Sequence, residues 1–200
     1  MKELFLNNYM DMIKKNNPTF SKDELDKIKY GIEGIYLTIT KLFVILLLGF
    51  IFNILYEILL LLLFYNFLRF FGFGYHARNS LECLIISITL FFIFPFLIYK
   101  HLLIFNCKWL IISLCLINFF LFAPSDTKKR PMINKRKKLI RKAFVIFITI
   151  IYSIIIPFVD YKLSSILLLS IVIQTIMVNP FIYMIFKQPY NNYKNYINSD

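Results

Sequence analysis

Hydrophobic positions along the chain change from a helical period near the start to nearly continuous apolar runs. In the stretch Leu4–Ile13, large apolar residues recur at helical spacing with Lys, Asp and Asn between them. This pattern is typical of an amphipathic helix lying in the membrane interface. The segment 16–18 (NNP) ends it. Ser21–Glu24 (SKDE) has the form of a capping box, which predicts a second helix that continues into the first membrane span.

The rest of the pattern predicts six membrane spans. Leu37–Phe71 is almost continuously apolar, about twice the ~20 residues that one span needs, with polar interruptions at Asn53 and Glu57. We expect two short spans there, joined by a tight turn. Four further spans follow between polar or basic segments. They are expected at Leu84–Tyr99, Trp109–Ala123, Ala143–Val159 and Ser165–Phe186.

This organisation predicts an all-α integral membrane protein with about six transmembrane helices, preceded by an N-terminal amphipathic interfacial helix. We expect one membrane-embedded domain over residues 1–200. Interfacial helices would occupy residues 1–35 and the transmembrane bundle residues 36–186. A basic cytoplasmic loop would span residues 124–142.

Composition supports a lipid environment. The 200 residues are 59% hydrophobic and include 23 Phe and 13 Tyr, more apolar surface than one globular core can bury. The formal net charge is +12, but the basic residues lie between apolar runs instead of along one polar face. This distribution argues against nucleic acid as a partner and favours anionic lipid or an acidic substrate.

The distribution of Lys and Arg predicts the orientation in the membrane. With six spans and a cytoplasmic N-terminus, 20 of the 23 basic residues lie on the inner side. Only Lys100, Lys108 and Lys162 remain outside. Both termini and the segments Gly72–Cys83 and Pro124–Lys142 are therefore expected at the cytoplasmic side of the membrane. Arg69 and Arg78 are interpreted as markers of the lipid headgroup boundary, ahead of a role in binding substrate carboxylates.

The three cysteines, Cys83, Cys107 and Cys115, are expected to be thiols. Their number is odd and no CxxC spacing occurs, which argues against a zinc site and against a disulfide framework. No metal and no cofactor are expected. We interpret Cys107 and Cys115 as structural residues, since neither has a partner on the inner side.

Cys83 has one candidate base, because His101 is expected in an outer loop and His76 lies seven residues before the cysteine on the inner side. A continuous helix would separate His76 and Cys83 by about 10 Å, too far for direct proton transfer. The segment must therefore fold back, which Gly72 and Gly74 allow.

Residues that commonly cap the N-terminus of a helix precede Cys83. Asn79 or Ser80 can cap the helix of the next span, and Asn79 with Glu82 would resemble a capping box. Cys83 would then lie in the first turn, where the free N–H groups and the helix dipole favour a thiolate. A lone cysteine on an apolar helix is more often a small buried hydrophobe, so the spacing alone makes catalysis the less common interpretation.

Two separate motifs are similar to those of a known family. Gly74–Cys83 (GYHARNSLEC) and Pro124–Pro131 (PSDTKKRP) resemble the two signature segments of the accessory gene regulator B family (AgrB), and Tyr30–Glu33 (YGIE) also fits. The resemblance implies an integral membrane cysteine endopeptidase of bacterial quorum sensing. Such proteins cut the C-terminal tail from a small pro-peptide and close the remainder into a thiolactone or lactone ring, and they are expected to form homodimers. The histidine and cysteine of the family motif correspond to His76 and Cys83.

The resemblance and the residue chemistry together suggest roles. Cys83 would attack the scissile carbonyl, and His76 would take the thiol proton and return it to the leaving amine. Asp126 is a possible orienter of His76, although a turn or helix-cap role is the more common one for such a residue. A basic cluster is a possible binding site for an acidic peptide tail, or alternatively an anchor to anionic lipid. It consists of Lys135, Arg136, Lys137 and Lys138.

Two other classes of function stay open at this level. A multi-span peptide transporter would use His76 and Cys83 as packing residues, but the spans show no inverted repeat and few ionisable groups that could form a pathway. A non-catalytic membrane scaffold predicts that Cys83 tolerates replacement by serine.

Overall fold

The protein is helical, as predicted. The structure, a computed structural model, describes residues 2–17, 19–75, 77, 80–126 and 132–192. About 80% of these described residues are helical. The helices are α1 (Lys2–Asn16), α2 (Lys22–Ile51), α3 (Leu55–Gly72), α4 (Ser80–Ile88), α5 (Phe94–Tyr99), α6 (Lys108–Phe122), α7 (Lys135–Ile155), α8 (Tyr161–Val178) and α9 (Pro180–Ile185). A π-helical segment, Thr89–Ile93, joins α4 to α5, and a 3₁₀ turn, Ile156–Phe158, follows α7.

Five helical segments of the described chain are long and apolar enough to cross a membrane. They are Lys22–Ile51, Leu55–Gly72, Leu81–Tyr99, Lys135–Phe158 and Tyr161–Val178. The remaining predicted span, Trp109–Ala123, corresponds to α6, which is apolar but only 15 residues long. The fold class, an all-α multi-pass membrane protein, is thereby confirmed.

The chain divides into two compact units, Met1–Leu47 and Leu48–Asp200. In the first unit the predicted capping box is present, since Glu24 Oε2 accepts from the Ser21 N–H at 2.9 Å and the Glu24 N–H donates to Ser21 Oγ at 3.4 Å. The helix that begins there runs on without a break into the apolar stretch, as the capping signal predicts. On α1, Leu4 and Tyr9 are exposed, the exposure that an interfacial helix requires.

The predicted tight turn lies between α2 and α3. Asn53 adopts a φ of 56°, a left-handed conformation that Asn tolerates well, and the Ile54 N–H donates to the Gly49 carbonyl at 2.9 Å. The apolar run is therefore split at the polar interruption that marks it in the sequence.

Two predicted boundaries are wrong. The last span does not reach Phe186, because α8 ends at Val178 and the chain turns at Asn179. Pro180 cannot donate a helical hydrogen bond, and it begins α9 while Asn179 Oδ1 accepts from the Phe181 N–H at 2.9 Å. The basic loop is also shorter than residues 124–142, because α7 begins at Lys135 with Asn134 as its N-cap.

Helix α8 forms the centre of the second unit. It packs against α3, α5, α6 and α7, and most of its side chains are buried. Its interior-facing polar residues are small or uncharged, for example Ser165, Ser170 and Gln174, as is usual where membrane helices approach closely. The C-terminal end of α8, at Val178, contacts the segments that follow α3 and α6.

Candidate active site

The two segments that carry the family resemblance meet at one end of the second unit. The Gly74 N–H donates to the Ser125 carbonyl at 3.0 Å, and the Ser125 N–H donates to the Gly72 carbonyl at 3.2 Å. Phe73 and Ser125 thus form a parallel bridge between the end of α3 and the loop after α6. We call this end of the unit the loop end. The sequence-based prediction that both segments lie on one side of the bundle agrees with this contact.

The C-terminal part of α8 ties both segments down. The Tyr75 N–H donates to the Met177 carbonyl at 2.7 Å, and Gln174 Nε2 donates to the Phe73 carbonyl at 2.9 Å. The Ser125 hydroxyl donates to the Val178 carbonyl. These backbone groups lie at or beyond the ends of helices and lack helical partners, so the bonds offset the cost of removing them from water.

Arg69 in the last turn of α3 satisfies the carbonyls of the unwound segment. Phe73 and Gly74 have φ values of 50° and 110°, which end the helix and leave three successive carbonyls without helical partners. The Arg69 guanidinium donates to the carbonyls of Phe73, Gly74 and Tyr75. A planar group with five donors suits this task, which a lysine ammonium could not perform in the same geometry. Arg69 therefore anchors the loop, and its interpretation as a headgroup marker missed this role.

A glycine is required at position 74. Its φ of 110° is one that other L-residues rarely adopt, and a Cβ there would lie 2.4 Å from the Met177 carbonyl oxygen and 2.7 Å from Arg69 Nη1. The backbone can approach both groups only because this side chain is absent. The sequence suggested a flexible backbone at Gly74, but the structure shows one fixed conformation with close contacts.

A hydrogen bond links the end of the segment after α3 to the first turn of α4. The Tyr75 hydroxyl donates to Glu82 Oε1 at 2.8 Å, although seven residues separate them in sequence. Helix α4 begins at Ser80, which places Cys83 in its first turn. Cys83 is half-buried and within electrostatic range of Tyr65 on α3. His76 and Asn79 lie outside the described residues, so the predicted base and the predicted cap stay predictions.

Asp126, the possible orienter, is buried at the loop end. Its Oδ1 accepts from the Asn192 N–H at 2.9 Å, and its carbonyl accepts from the Tyr183 hydroxyl at 3.1 Å. Burial raises the pKa of Tyr183, which keeps its hydroxyl protonated and able to donate. Asp126 therefore links the second signature segment to the C-terminal segment that follows α8.

The basic cluster predicted as a substrate-binding candidate occupies the first turn of α7. Lys135, Arg136 and Lys137 are exposed, whereas Lys138 is half-buried. One turn further along α7, Arg141 donates to the Phe70 carbonyl at 2.9 Å. Because Phe70 lies in the last turns of α3, the basic start of α7 is at the loop end, together with both signature segments.

The remaining candidate residues lie elsewhere. His101 is exposed beyond α5 at the other end of the bundle, where its ring stacks on Tyr161 at 5.1 Å. Cys107 is exposed just before α6, and Cys115 is buried in the helix core. All three cysteines are free thiols in the structure. Of the three, Cys83 alone lies near the signature segments.

Sequence reasoning missed several residues that build the loop end. Gln174 and Tyr183 are buried and hold the signature segments through hydrogen bonds. A polar amide in the middle of an apolar helix is a signal that could have identified Gln174. No local pattern distinguishes Tyr183 from the other twelve tyrosines, because its partner is 57 residues away.

Comparison with known proteins shows a family that covers most of the chain. The profile described as accessory gene regulator B matches residues 6–178. A putative AgrB-like protein of Listeria innocua is 34% identical over 177 residues, which cover 85% of this chain and 84% of that protein. One of Listeria monocytogenes is 33% identical with the same coverage. Accessory gene regulator protein B of Staphylococcus aureus is 31% identical over 158 residues, covering 78% of this chain and 83% of that protein.

No solved structure matches the chain. The family assignment therefore depends on the sequence comparisons, and the multi-pass helical structure and the contact between the two signature segments agree with it. Because the family profile and the named relatives each cover most of the chain, this protein belongs to the accessory gene regulator B family of quorum-sensing membrane proteins.

Proposed function

We propose that this protein is a membrane cysteine endopeptidase that cleaves the C-terminal tail from a small pro-peptide and promotes cyclisation of the remainder. The observation that carries the proposal is the joining of the two signature segments at the loop end, with Cys83 in the first turn of α4. A helix N-terminus favours a thiolate, and ionisable or nucleophilic groups at the end of a membrane bundle usually serve a function.

The chemistry would proceed by acyl transfer. The Cys83 thiolate attacks the carbonyl carbon of the scissile bond, and the C–N bond breaks after His76 gives its proton to the leaving amine. The acyl group is then held on Cys83 as a thioester. A cysteine or serine side chain of the bound pro-peptide gives its proton to His76 and attacks that thioester, which closes a thiolactone or lactone ring and releases the Cys83 thiolate. A site at the membrane surface helps by limiting hydrolysis by water.

The nucleophile is tested by co-expression with a candidate pro-peptide and mass spectrometry of the membrane fraction. Cys83→Ser and His76→Ala should each abolish cleavage without loss of membrane insertion. Cys107→Ser and Cys115→Ser are the matched controls and should retain activity, since neither residue lies near the signature segments. A fully active Cys83→Ser protein would show that the peptidase proposal is wrong.

A second measurement separates the peptidase from a transporter. Purified protein in detergent has no second compartment, so transport cannot be observed there, whereas cleavage of an added pro-peptide can. A peptidase should form the cleaved tail in detergent at a rate that depends on Cys83. Absence of cleavage in detergent, with accumulation of intact peptide in sealed vesicles, would favour the transporter.

We further propose that the loop end faces the cytoplasm, together with both termini. The support is the excess of Lys and Arg on the segments assigned to that side. Single cysteines introduced into a protein without its native cysteines report the orientation. A membrane-impermeant thiol reagent added to intact cells should label position 101 and should not label position 132. Labelling of position 132 from outside would overturn the orientation.

A further inference from the structure

The tyrosine that precedes His76 is held through both its backbone and its ring. Tyr75 is 3% exposed, its N–H donates to the Met177 carbonyl at 2.7 Å, and its carbonyl accepts from Arg69. Its ring stacks on Phe186 at 4.9 Å and meets Tyr183 edge to face at 6.0 Å. The position of the Tyr75 hydroxyl is therefore fixed by both backbone and ring contacts.

That hydroxyl reaches the residue next to the proposed nucleophile. Glu82 lies in the first turn of α4, directly before Cys83, and its Oε1 accepts from the Tyr75 hydroxyl at 2.8 Å. The sequence suggested a capping role for Glu82 within its own helix, but this bond extends to the loop after α3. The hydrogen bond thus links the residue before His76 to the first turn of α4.

We propose that Tyr75 and Glu82 are positioning residues that hold the first turn of α4, and with it Cys83, in register with the segment that carries His76. This inference rests on the proposed peptidase function. Catalytic groups must be held within about 0.5 Å of the productive geometry, and a displacement of 1 Å can reduce a rate about a hundredfold. The Tyr75–Glu82 bond supplies such a constraint, because it connects the anchored loop directly to the turn that bears the thiol.

The main test is Tyr75→Phe, which keeps the buried ring and removes only the hydroxyl. We expect kcat for a synthetic pro-peptide with an internal cysteine and an acidic C-terminal tail to fall about tenfold, which corresponds to the loss of one hydrogen bond to a charged group. KM should change by less than twofold, since the Tyr75 side chain is buried and exposes almost no surface to a bound peptide. Tyr152→Phe is the matched control, because it removes a buried hydroxyl that donates to the Phe64 carbonyl at 3.2 Å, away from the loop end.

Changes at Glu82 provide a rescue test. Glu82→Gln keeps an oxygen that accepts from the Tyr75 hydroxyl, so it should retain kcat within about threefold, whereas Glu82→Ala should lose as much as Tyr75→Phe. Adding Tyr75→Phe to Glu82→Ala should then cost little more, because both changes remove the same bond. Equal losses from Glu82→Gln and Glu82→Ala, or full additivity, would contradict the proposal.

A measurement without substrate separates this inference from the proposed function. In a Cys107→Ser background, the rate of Cys83 alkylation by iodoacetamide in native membranes should fall at least threefold in Tyr75→Phe and stay unchanged in Tyr152→Phe. If the parent protein cleaves the pro-peptide but Tyr75→Phe cleaves and alkylates equally well, the positioning role is wrong and the peptidase stands. If Tyr75→Phe alters alkylation but the parent protein cleaves no pro-peptide, the proposed function fails instead. A lower thermal stability of Tyr75→Phe with unchanged kcat would assign the bond a structural role only.

Discussion

The two ends of the helical unit that follows Leu48 use polar residues in different ways. At the loop end, polar groups face inward, and Arg69, Ser125 and Gln174 donate to buried backbone carbonyls. At the opposite end, half-buried polar side chains contact aromatic rings, and Lys108 Nζ also donates to Ser164 Oγ at 2.7 Å. There Lys162 Nζ lies 4.3 Å from the Tyr99 ring centroid, and Lys108 Nζ lies 5.6 Å from that of Tyr161.

This difference separates residues that build a site from residues that suit a membrane boundary. Contacts between lysine ammoniums and half-buried rings near the surface contribute about 0.5–1 kcal/mol, so substitutions there should have small effects. Buried hydrogen bonds to the non-helical backbone fix one geometry. The loss of such a bond leaves a carbonyl without a donor, which costs about 1–3 kcal/mol of stability. Substitutions at the loop end should therefore affect function far more than equivalent substitutions at the opposite end.

The largest effect is expected from Gly74→Ala. A Cβ at this position meets the Met177 carbonyl oxygen and Arg69 and requires a strained φ, which together should cost about 3 kcal/mol or more. Cleavage should fall at least a hundredfold, as measured by mass spectrometry of the released tail. Gly34→Ala is the matched control, because a Cβ there has no atom within 4 Å and it should be neutral or slightly stabilising. Similar activity in the two variants would contradict the fixed geometry of the loop.

The next largest effect is expected from Arg69→Lys. The ammonium cannot reach three carbonyls at once, so at least one buried carbonyl loses its donor and activity should fall about thirtyfold. Arg141→Lys is the control, since Arg141 donates to one carbonyl, that of Phe70, at an exposed position. Its activity should stay within about twofold of the parent. A kinetic assay of purified protein in detergent measures the activity of both variants. An equal loss of activity in the two would contradict the special role of Arg69.

A smaller effect is expected at the basic start of α7. If it recruits an acidic peptide tail, changing Lys135, Arg136, Lys137 and Lys138 to glutamine should raise KM about threefold to tenfold at low salt and leave kcat nearly unchanged. The effect should shrink at physiological salt, where charges are screened within about 8 Å. Removal of the acidic groups from the peptide should reproduce it. Unchanged KM at low salt, with reduced insertion in cells, would assign these residues to lipid anchoring alone.

The smallest effects are expected at the opposite end. Tyr161→Phe removes a hydroxyl that donates to the Leu103 carbonyl at 2.9 Å, and it should lower the free energy of unfolding by about 1 kcal/mol. Cleavage should change by less than twofold, because no signature segment lies there. Lys108→Gln should behave in the same way. A tenfold loss of cleavage in either variant would show that the two ends are coupled.

The pattern of apolar and polar positions in the sequence was enough to predict the helices and their approximate ends. Capping at Ser21, the split at Asn53 and the apolar run of α6 follow from local rules, since a helix start or a polar interruption acts within a few residues. The basic residues predicted outside, Lys100, Lys108 and Lys162, are indeed all at the end opposite the loop end. The last span was placed wrongly because its apolar composition continues past Pro180, while the missing N–H of that proline ends the helix.

For the candidate site, the sequence predicts Cys83 as the nucleophile and a fold-back that brings His76 near it, because both predictions depend on spacing along one segment. Only the tertiary structure decided which distant groups hold that segment. In the sequence, Arg69 has the position of a residue at the lipid headgroup boundary. No local pattern in the sequence indicates the hydrogen-bond partners of Ser125, Gln174 and Tyr183. Their roles come from backbone carbonyls left without helical bonds at positions 73–75, which buried donors from other helices must satisfy once lipid and protein exclude water.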